Sequence, residues 1–186
     1  LRFPALGADP YQGIPPHFRT SCERVTSLAA AASGSWDFLI APARALMTPL
    51  PAPESFATLG IRVQVGKTLD PAAFAKAAVE AGYRHEEMIA EPGEFSRRGG
   101  IVDIFPPGTE RPYRIELEGE DVGSIRTFDP DTQRSVARVQ EFVVLPVAEA
   151  PIGSDERERL AIAATLWRDR LPHTTEARAW SERLSR

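Results

Sequence analysis

From Thr20 the chain reads "TSCERVTSLAAAASG", with Val25, Leu28, Ala29 and Ala32 recurring at helical spacing. Thr20 and Glu23 fit a capping box at the start of this helix, and Gly34 is a natural stop. "WDFLIA" (Trp36–Ala41) is instead a short continuous apolar run, the pattern of a strand buried on both faces of a parallel sheet. "PARALM" follows as a short helix with Pro42 near its start. Helix, buried strand, helix is the grammar of an α/β layer. Residues 1–19, rich in Pro and Gly, read as loop, and "TPLPAPESF" (Thr48–Phe56) reads as a boundary.

The pattern changes near Gly60. "IRVQV" alternates and predicts a strand with one wet face. Asp70-Pro71 predicts a helix start, with Asp70 as N-cap and Pro71 at the first helical position. That helix turns Phe74, Ala78 and Ala81 inward and stops at Gly82. Strands are expected around Ile101–Phe105, at "YRIELEG" (Tyr113–Gly119), at "VGSIRTFD" (Val122–Asp129) and at "RVQEFVVLPV" (Arg138–Val147). In Tyr113–Gly119, Tyr113, Ile115 and Leu117 share one face, and Arg114, Glu116 and Glu118 the other. Four or five strands around one helix, joined by short turns, describe a small α+β domain on an antiparallel sheet. From Asp155 the tail is helical, with Leu160, Ile162, Ala163 and Leu166 as its inner stripe; Thr174 caps a last short helix containing Trp180. The expected fold class is thus α/β plus α+β.

Composition narrows the function classes. The chain has 186 residues, 42% hydrophobic and 26% charged, which is globular and not disordered. No apolar run approaches the ~20 residues of a membrane span, and no secretory signal is expected. "LRFPALGADPYQG" reads like mid-domain sequence, so the chain is expected to be a piece of something larger. One cysteine, Cys22, excludes an internal disulfide and a cysteine-rich metal site, and fits a reducing cytoplasm. The net charge of −4 argues against a dedicated nucleic-acid binder. The excess acid lies in the middle: residues 60–146 carry 11 basic and 15 acidic side chains, whereas the flanking segments are balanced.

The candidate chemistry is thin. "VGKT" resembles the end of a phosphate loop, but the first glycine of G-x-x-x-x-G-K-[ST] would have to be residue 61, which is Ile61. The residues before Gly66 are also strand-like, and Asp70 adds negative charge where the anion-binding helix would begin. Strand, tight turn and capped helix account for the stretch better than an ATP site at Lys67. No G-x-S-x-G elbow occurs, and His17, His85 and His173 lack ligand spacing. Phe95, Phe105, Tyr113 and Phe128 read as core, not as a base-stacking platform. "GEFSRRGG" stands out, because it presents Arg97 and Arg98 beside two glycines at a strand entry. Arginine there suits a bidentate pair with a partner carboxylate.

At "EPGEFSRRGGIVDIFPPGTERPYRIELEGEDVGSIRTFDPDTQRSV" the chain resembles the N-terminal region shared by UvrB and the bacterial transcription-repair coupling factors. The shared pattern is glycine, an acid or threonine, an aromatic, arginine before glycine, a strand ending in "IFP", an arginine-bearing strand and "FDP-x-T". It extends upstream through "VGKTLDPAAFAKAAVEAGYRHEE" and downstream to "LWRDRL". "DPYQGIPPHFRTSCER" (Asp9–Arg24) favours the coupling-factor branch, because Tyr11 stands alone where UvrB has a tyrosine-rich hairpin. The alternative is a UvrB-type excision-repair subunit contacting damaged DNA.

The resemblance implies a layout. Residues 1–59 would end a degenerate helicase-like α/β domain, 60–146 would be an inserted UvrA-interaction domain, and 147–186 would return to the first. No catalysis, metal or cofactor is expected here. ATP and Mg would belong to the full-length translocase, which would meet RNA polymerase and double-stranded DNA through other domains. The family's UvrA-binding positions fall on Arg98, Arg114 and Glu118. Glu118 departs from the family, which has an aromatic there. Either it partly neutralises Arg114, or it weakens the contact, or the partner surface has changed to match.

Overall fold

In the computed structural model, which describes residues 1–7, 16–47, 50–52 and 60–149, the segment after Gly60 builds two sheets. β1 (Ile61–Gln64) pairs antiparallel with β8 (Glu141–Val144) as a two-stranded sheet. The larger sheet has six strands in the order β2 (Arg84–His85), β3 (Glu94–Arg98), β4 (Ile101–Ile104), β5 (Tyr113–Glu118), β6 (Asp121–Phe128) and β7 (Ser135–Val139). From β3 to β7 every neighbour is antiparallel, and β2 joins β3 in parallel. The described chain is therefore α+β and mostly sheet.

The helix α2 (Pro71–Glu80) forms as its sequence predicts. Asp70 Oδ1 accepts a hydrogen bond from the Ala72 amide at 2.8 Å, and Pro71 occupies the first turn, where its missing N–H costs nothing. Phe74 and Ala78 are buried, Ala81 packs beside them, and the Gly82 amide closes the last turn onto Val79 O. This face lies in one core with Phe95, Val102, Ile104, Ile115 and Ile125 from the sheet and Val63, Phe142 and Val144 from the β1–β8 pair. Alternation along β4 and β5 turns Val102, Ile104 and Ile115 to this core and Asp103 and Arg114 to the other face, while register shifts at Glu116/Leu117 and Thr127/Phe128 interrupt the alternation along β5 and β6.

Three expectations about the strands are corrected. The run Trp36–Ala41 is not a buried strand: Phe38 is 79% and Ile40 73% exposed, and its strand pairing is one parallel bridge between Ile40 and Arg2. A strand buried on both faces needs layers packed over both, and here Trp36, Phe38 and Ile40 stay exposed, while among the described residues only Leu1–Phe3 bonds its backbone. The stretch Arg138–Val147 is not one strand. It divides at Gln140, with β7 closing the six-stranded sheet and β8 crossing to β1, while Gln140 O accepts from the Val65 amide at 3.0 Å. Finally, eight strands, not four or five, lie between Ile61 and Val144.

Helix α1 (Phe18–Ala32) has its N-cap at His17, three residues before the expected one, with no side-chain cap. Thr20 is then already helical, and Glu23 faces Arg19 at 3.5 Å instead of closing a capping box. Its inner face also differs, because Cys22 and Val25 are buried together with two polar residues, Arg24 and Ser27, while Ala32 is exposed. "PARALM" forms a single 3-10 turn, Ala43–Leu46, with Pro42 as its N-cap. The expected helical tail from Asp155, Tyr11 and most of the proline-rich boundary lie outside the described residues.

Cys22 lies against the core, and burial pushes its thiol up to about 11 against a pull downward from Arg84. The folded thiol therefore holds its proton more tightly than the unfolded one. Its contribution to stability is complete below the ordinary thiol pKa and declines as pH rises from there towards about 11. Native protein at pH 8 should resist alkylation by iodoacetamide, and protein in urea should label readily. Equal rates in the two conditions would contradict this burial.

Candidate functional site

Two arginines meet one buried carboxylate on the polar face of the six-stranded sheet. Arg98 ends β3, and Gly99-Gly100 make the two-residue turn into β4, with Gly99 at φ +58° where a side chain would strain the backbone. The turn sets Arg98 opposite Ile101 and so beside Asp103, two residues along the same face. Asp103 is in turn opposite Arg114 on β5. Arg98 Nη2 donates to Asp103 Oδ2 at 3.0 Å. Arg114 grips the same carboxylate bidentately, Nε to Oδ1 at 2.7 Å and Nη2 to Oδ2 at 2.8 Å. The Asp103 side chain is 2% exposed, that of Arg114 17% and that of Arg98 53%. One acid thus anchors two cations, and the hydrogen bonds that Arg114 donates to Asp103 hold the Arg114 pKa above its ordinary value.

The "FDPDTQ" segment supports Arg114 from below. Its guanidinium lies 4.4 Å above the Phe128 ring, and Phe128 forms a small core of its own with Ile89 and Phe105. Asp129 Oδ1 accepts from the Thr132 amide and hydroxyl and the Asp131 amide, which lowers its pKa and folds the loop tightly. Gln133 sits at φ 58°, the one non-glycine with positive φ among the described residues. There its backbone O and Oε1 each accept from Arg114 at 3.4 Å, while Nε2 donates to Pro130 O and Ile89 O. The aspartate and threonine of "FDP-x-T" thus build the loop that holds an arginine.

The "GEF" glutamate has a comparable task at the start of β3. Glu94 is buried, accepts from the Ala90 and Glu91 amides and pairs with Arg84 at 3.0 Å. It fastens the loop that runs over the polar face, where Ser96 Oγ donates to Glu87 O.

Glu118 is not part of this cluster. It is exposed at the end of β5, opposite Asp121, and lies over Gly123, where an added Cβ would meet Glu118 Cγ at 2.7 Å. Four strand residues put it roughly 13 Å from Arg114. Asp103 meets the Arg114 charge, with Glu116 next, so Glu118 does not supply the neutralisation.

Asp103 carries a visible signal in the sequence, a lone acid inside "IVDIF", that the resemblance does not single out. Gln133 carries none, because a residue forced into the left-handed region leaves no reliable mark in sequence. The aromatics Phe95, Phe105 and Phe128 are buried and Tyr113 stacks on Phe142, as expected of core residues. In the turn after β1, the Gly66 amide donates to Val122 O, Lys67 to Gln64 O and Leu69 to Glu120 O. Those are the amides a phosphate loop would offer to its ligand. Lys67 itself is exposed. Among the described residues, no group of three or more His, Cys, Asp or Glu could hold a metal ion, and no helix is long and apolar enough to cross a membrane.

The profile of the UvrB interaction domain matches residues 61–149. That stretch is a UvrB interaction domain. It contains Arg98, Asp103, Arg114 and Glu118 and both sheets described above. Most of the chain is similar to a segment of several transcription-repair-coupling factors. It is 36% identical to that of Bacillus subtilis over 137 residues, 74% of this chain and 12% of the relative. Against the Myxococcus xanthus protein it is 32% identical over 172 residues, 92% of this chain and 14% of the relative. For the Escherichia coli protein the figures are 31% over 161 residues, 86% and 14%. The chain therefore spans about one seventh or less of the length of these curated relatives.

Proposed function

We propose that the UvrB interaction domain of this chain docks UvrA through the Arg98–Asp103–Arg114 cluster, as part of a transcription-repair coupling factor that recruits excision repair. The observation that carries the reading is the shared carboxylate. Asp103 fixes both guanidiniums in place before any partner arrives, so less side-chain entropy is lost on binding. Arg98 keeps half of its side chain exposed and so offers free donors to an incoming acceptor. In this reading residues 60–146 are the docking module, and 1–59 with 147–186 belong to a helicase-like domain. ATP hydrolysis, Mg, RNA polymerase and double-stranded DNA are engaged elsewhere in the longer protein, in the cytoplasm.

Arg114→Lys tests the fork. Lysine keeps the charge and loses the planar bidentate donors. UvrA titrated against the whole chain by calorimetry should bind the lysine variant about tenfold more weakly. Wild-type affinity in that variant would mean that only the charge matters, and the proposed geometry would fall.

A further inference from the structure

The strand register places more on this face than the Asp103 cluster uses. Arg114 on β5 is directly opposite Arg126 on β6, and Arg126 is directly opposite Arg138 on β7. Three arginines therefore stand side by side across three strands. Like charges directly opposite destabilise a sheet. Their anionic partners are few. Arg114 has Asp103, and Arg126 has Glu116 at 3.5 Å, with Glu116 also accepting from the Ser124 hydroxyl. Arg138 is exposed and has no ion pair among the described residues. Arg126 Nε is buried without an acceptor, the one such side-chain atom among the described residues. The rest of the Arg126 side chain is 32% exposed and open to an incoming acceptor.

We propose that the row Arg114–Arg126–Arg138 is a docking strip for an acidic protein segment, continuous with the Arg98–Arg114 site. The proposal rests on the docking reading above and names the partner's chemistry and a wider footprint. Strands lie ~4.8 Å apart, so the row spans roughly 10 Å. Carboxylates at i and i+4 of a helix are about 6 Å apart and match it in pitch. Charge complementarity favours carboxylates over a nucleic-acid backbone. The same hairpin carries Glu116, Glu118, Glu120 and Asp121, and residues 60–146 hold 15 acidic against 11 basic side chains. A duplex bears a charge every ~1.7 Å and would meet those acids as well as the arginines. A short acidic segment can lie along the row and avoid them.

The experiment is a titration of UvrA with the whole chain carrying Arg126→Gln and Arg138→Gln together, at low and high salt, beside an Arg98→Ala/Arg114→Ala chain. Glutamine keeps length and hydrogen-bonding capacity, and thermal melting identifies any loss of fold. The expected result is binding about tenfold weaker at low salt, mainly through slower association, with a flatter salt dependence. If affinity and salt dependence are unchanged while the Arg98/Arg114 variant is impaired, the strip is overturned and the docking site stands. If neither variant is impaired, both fall. Duplex DNA binding that the glutamines abolish, with UvrA binding intact, would overturn the choice of a carboxylate partner.

Discussion

Replacing Arg24 with alanine is expected to lower stability by about 3–5 kcal/mol, the usual consequence of removing one partner of a buried ion pair. Arg24 has a fully buried side chain in α1, and three groups depend on it. Nε and Nη2 grip the Glu149 carboxylate, Nη1 donates to Pro4 O at 2.6 Å, and the guanidinium lies 3.9 Å over the Phe3 ring. It therefore ties the start of the chain and α1 to the segment beyond β8. Alanine would leave Glu149, whose side chain is 15% exposed, and the Pro4 carbonyl without partners. Urea melts of the whole chain measure the effect. Arg24→Ala/Glu149→Ala should be markedly less destabilised than the sum of the two single variants. Additive losses, or a loss under ~1 kcal/mol, would mean the pair carries little.

Replacing Asp103 with asparagine is expected to weaken UvrA binding as much as removing Arg114 itself, although Asp103 is too buried to touch a partner. Asparagine preserves volume and can accept from one arginine, but it offers one carbonyl oxygen where Arg114 now uses both carboxylate oxygens. The fork opens, Arg98 loses its anchor, and the two arginines repel each other. The stability loss should stand near the lower end of the ~3–5 kcal/mol for a broken buried pair, because half-exposed Arg98 can be hydrated again. Calorimetry and melts on one variant separate the two effects. A variant that folds normally and binds UvrA as well as wild type would show that the arginines need no positioning by Asp103.

The sequence made local structure legible wherever a single residue has a local mechanism. Asp70 caps α2 because its carboxylate reaches an amide two residues on, and Gly99-Gly100 turns the hairpin because glycine tolerates positive φ. Arg98 and Arg114 could be singled out from the resemblance, but their meeting at Asp103 depends on the β3–β4–β5 register, which periodicity does not determine. The apolar run Trp36–Ala41 misled because continuous hydrophobicity reports a preference for burial and not what is present to bury it. Arg24 misled in the opposite sense: a charge on a helix normally faces water, and only its contacts with Glu149, Pro4 and Phe3 make an interior position tolerable. Gln140 left no mark either, since the change of sheet between β7 and β8 follows from which strand pairs with β1.

The central claim is that this sheet face docks UvrA through Arg98 and Arg114. Its most direct test is the equilibrium affinity of purified UvrA for the whole chain and for its Arg98→Ala/Arg114→Ala variant, with matched melting curves. The account predicts a loss of about 30-fold or more, as for hot-spot arginines contributing ~2 kcal/mol. A double variant that melts like the wild type and binds UvrA with unchanged affinity would contradict it.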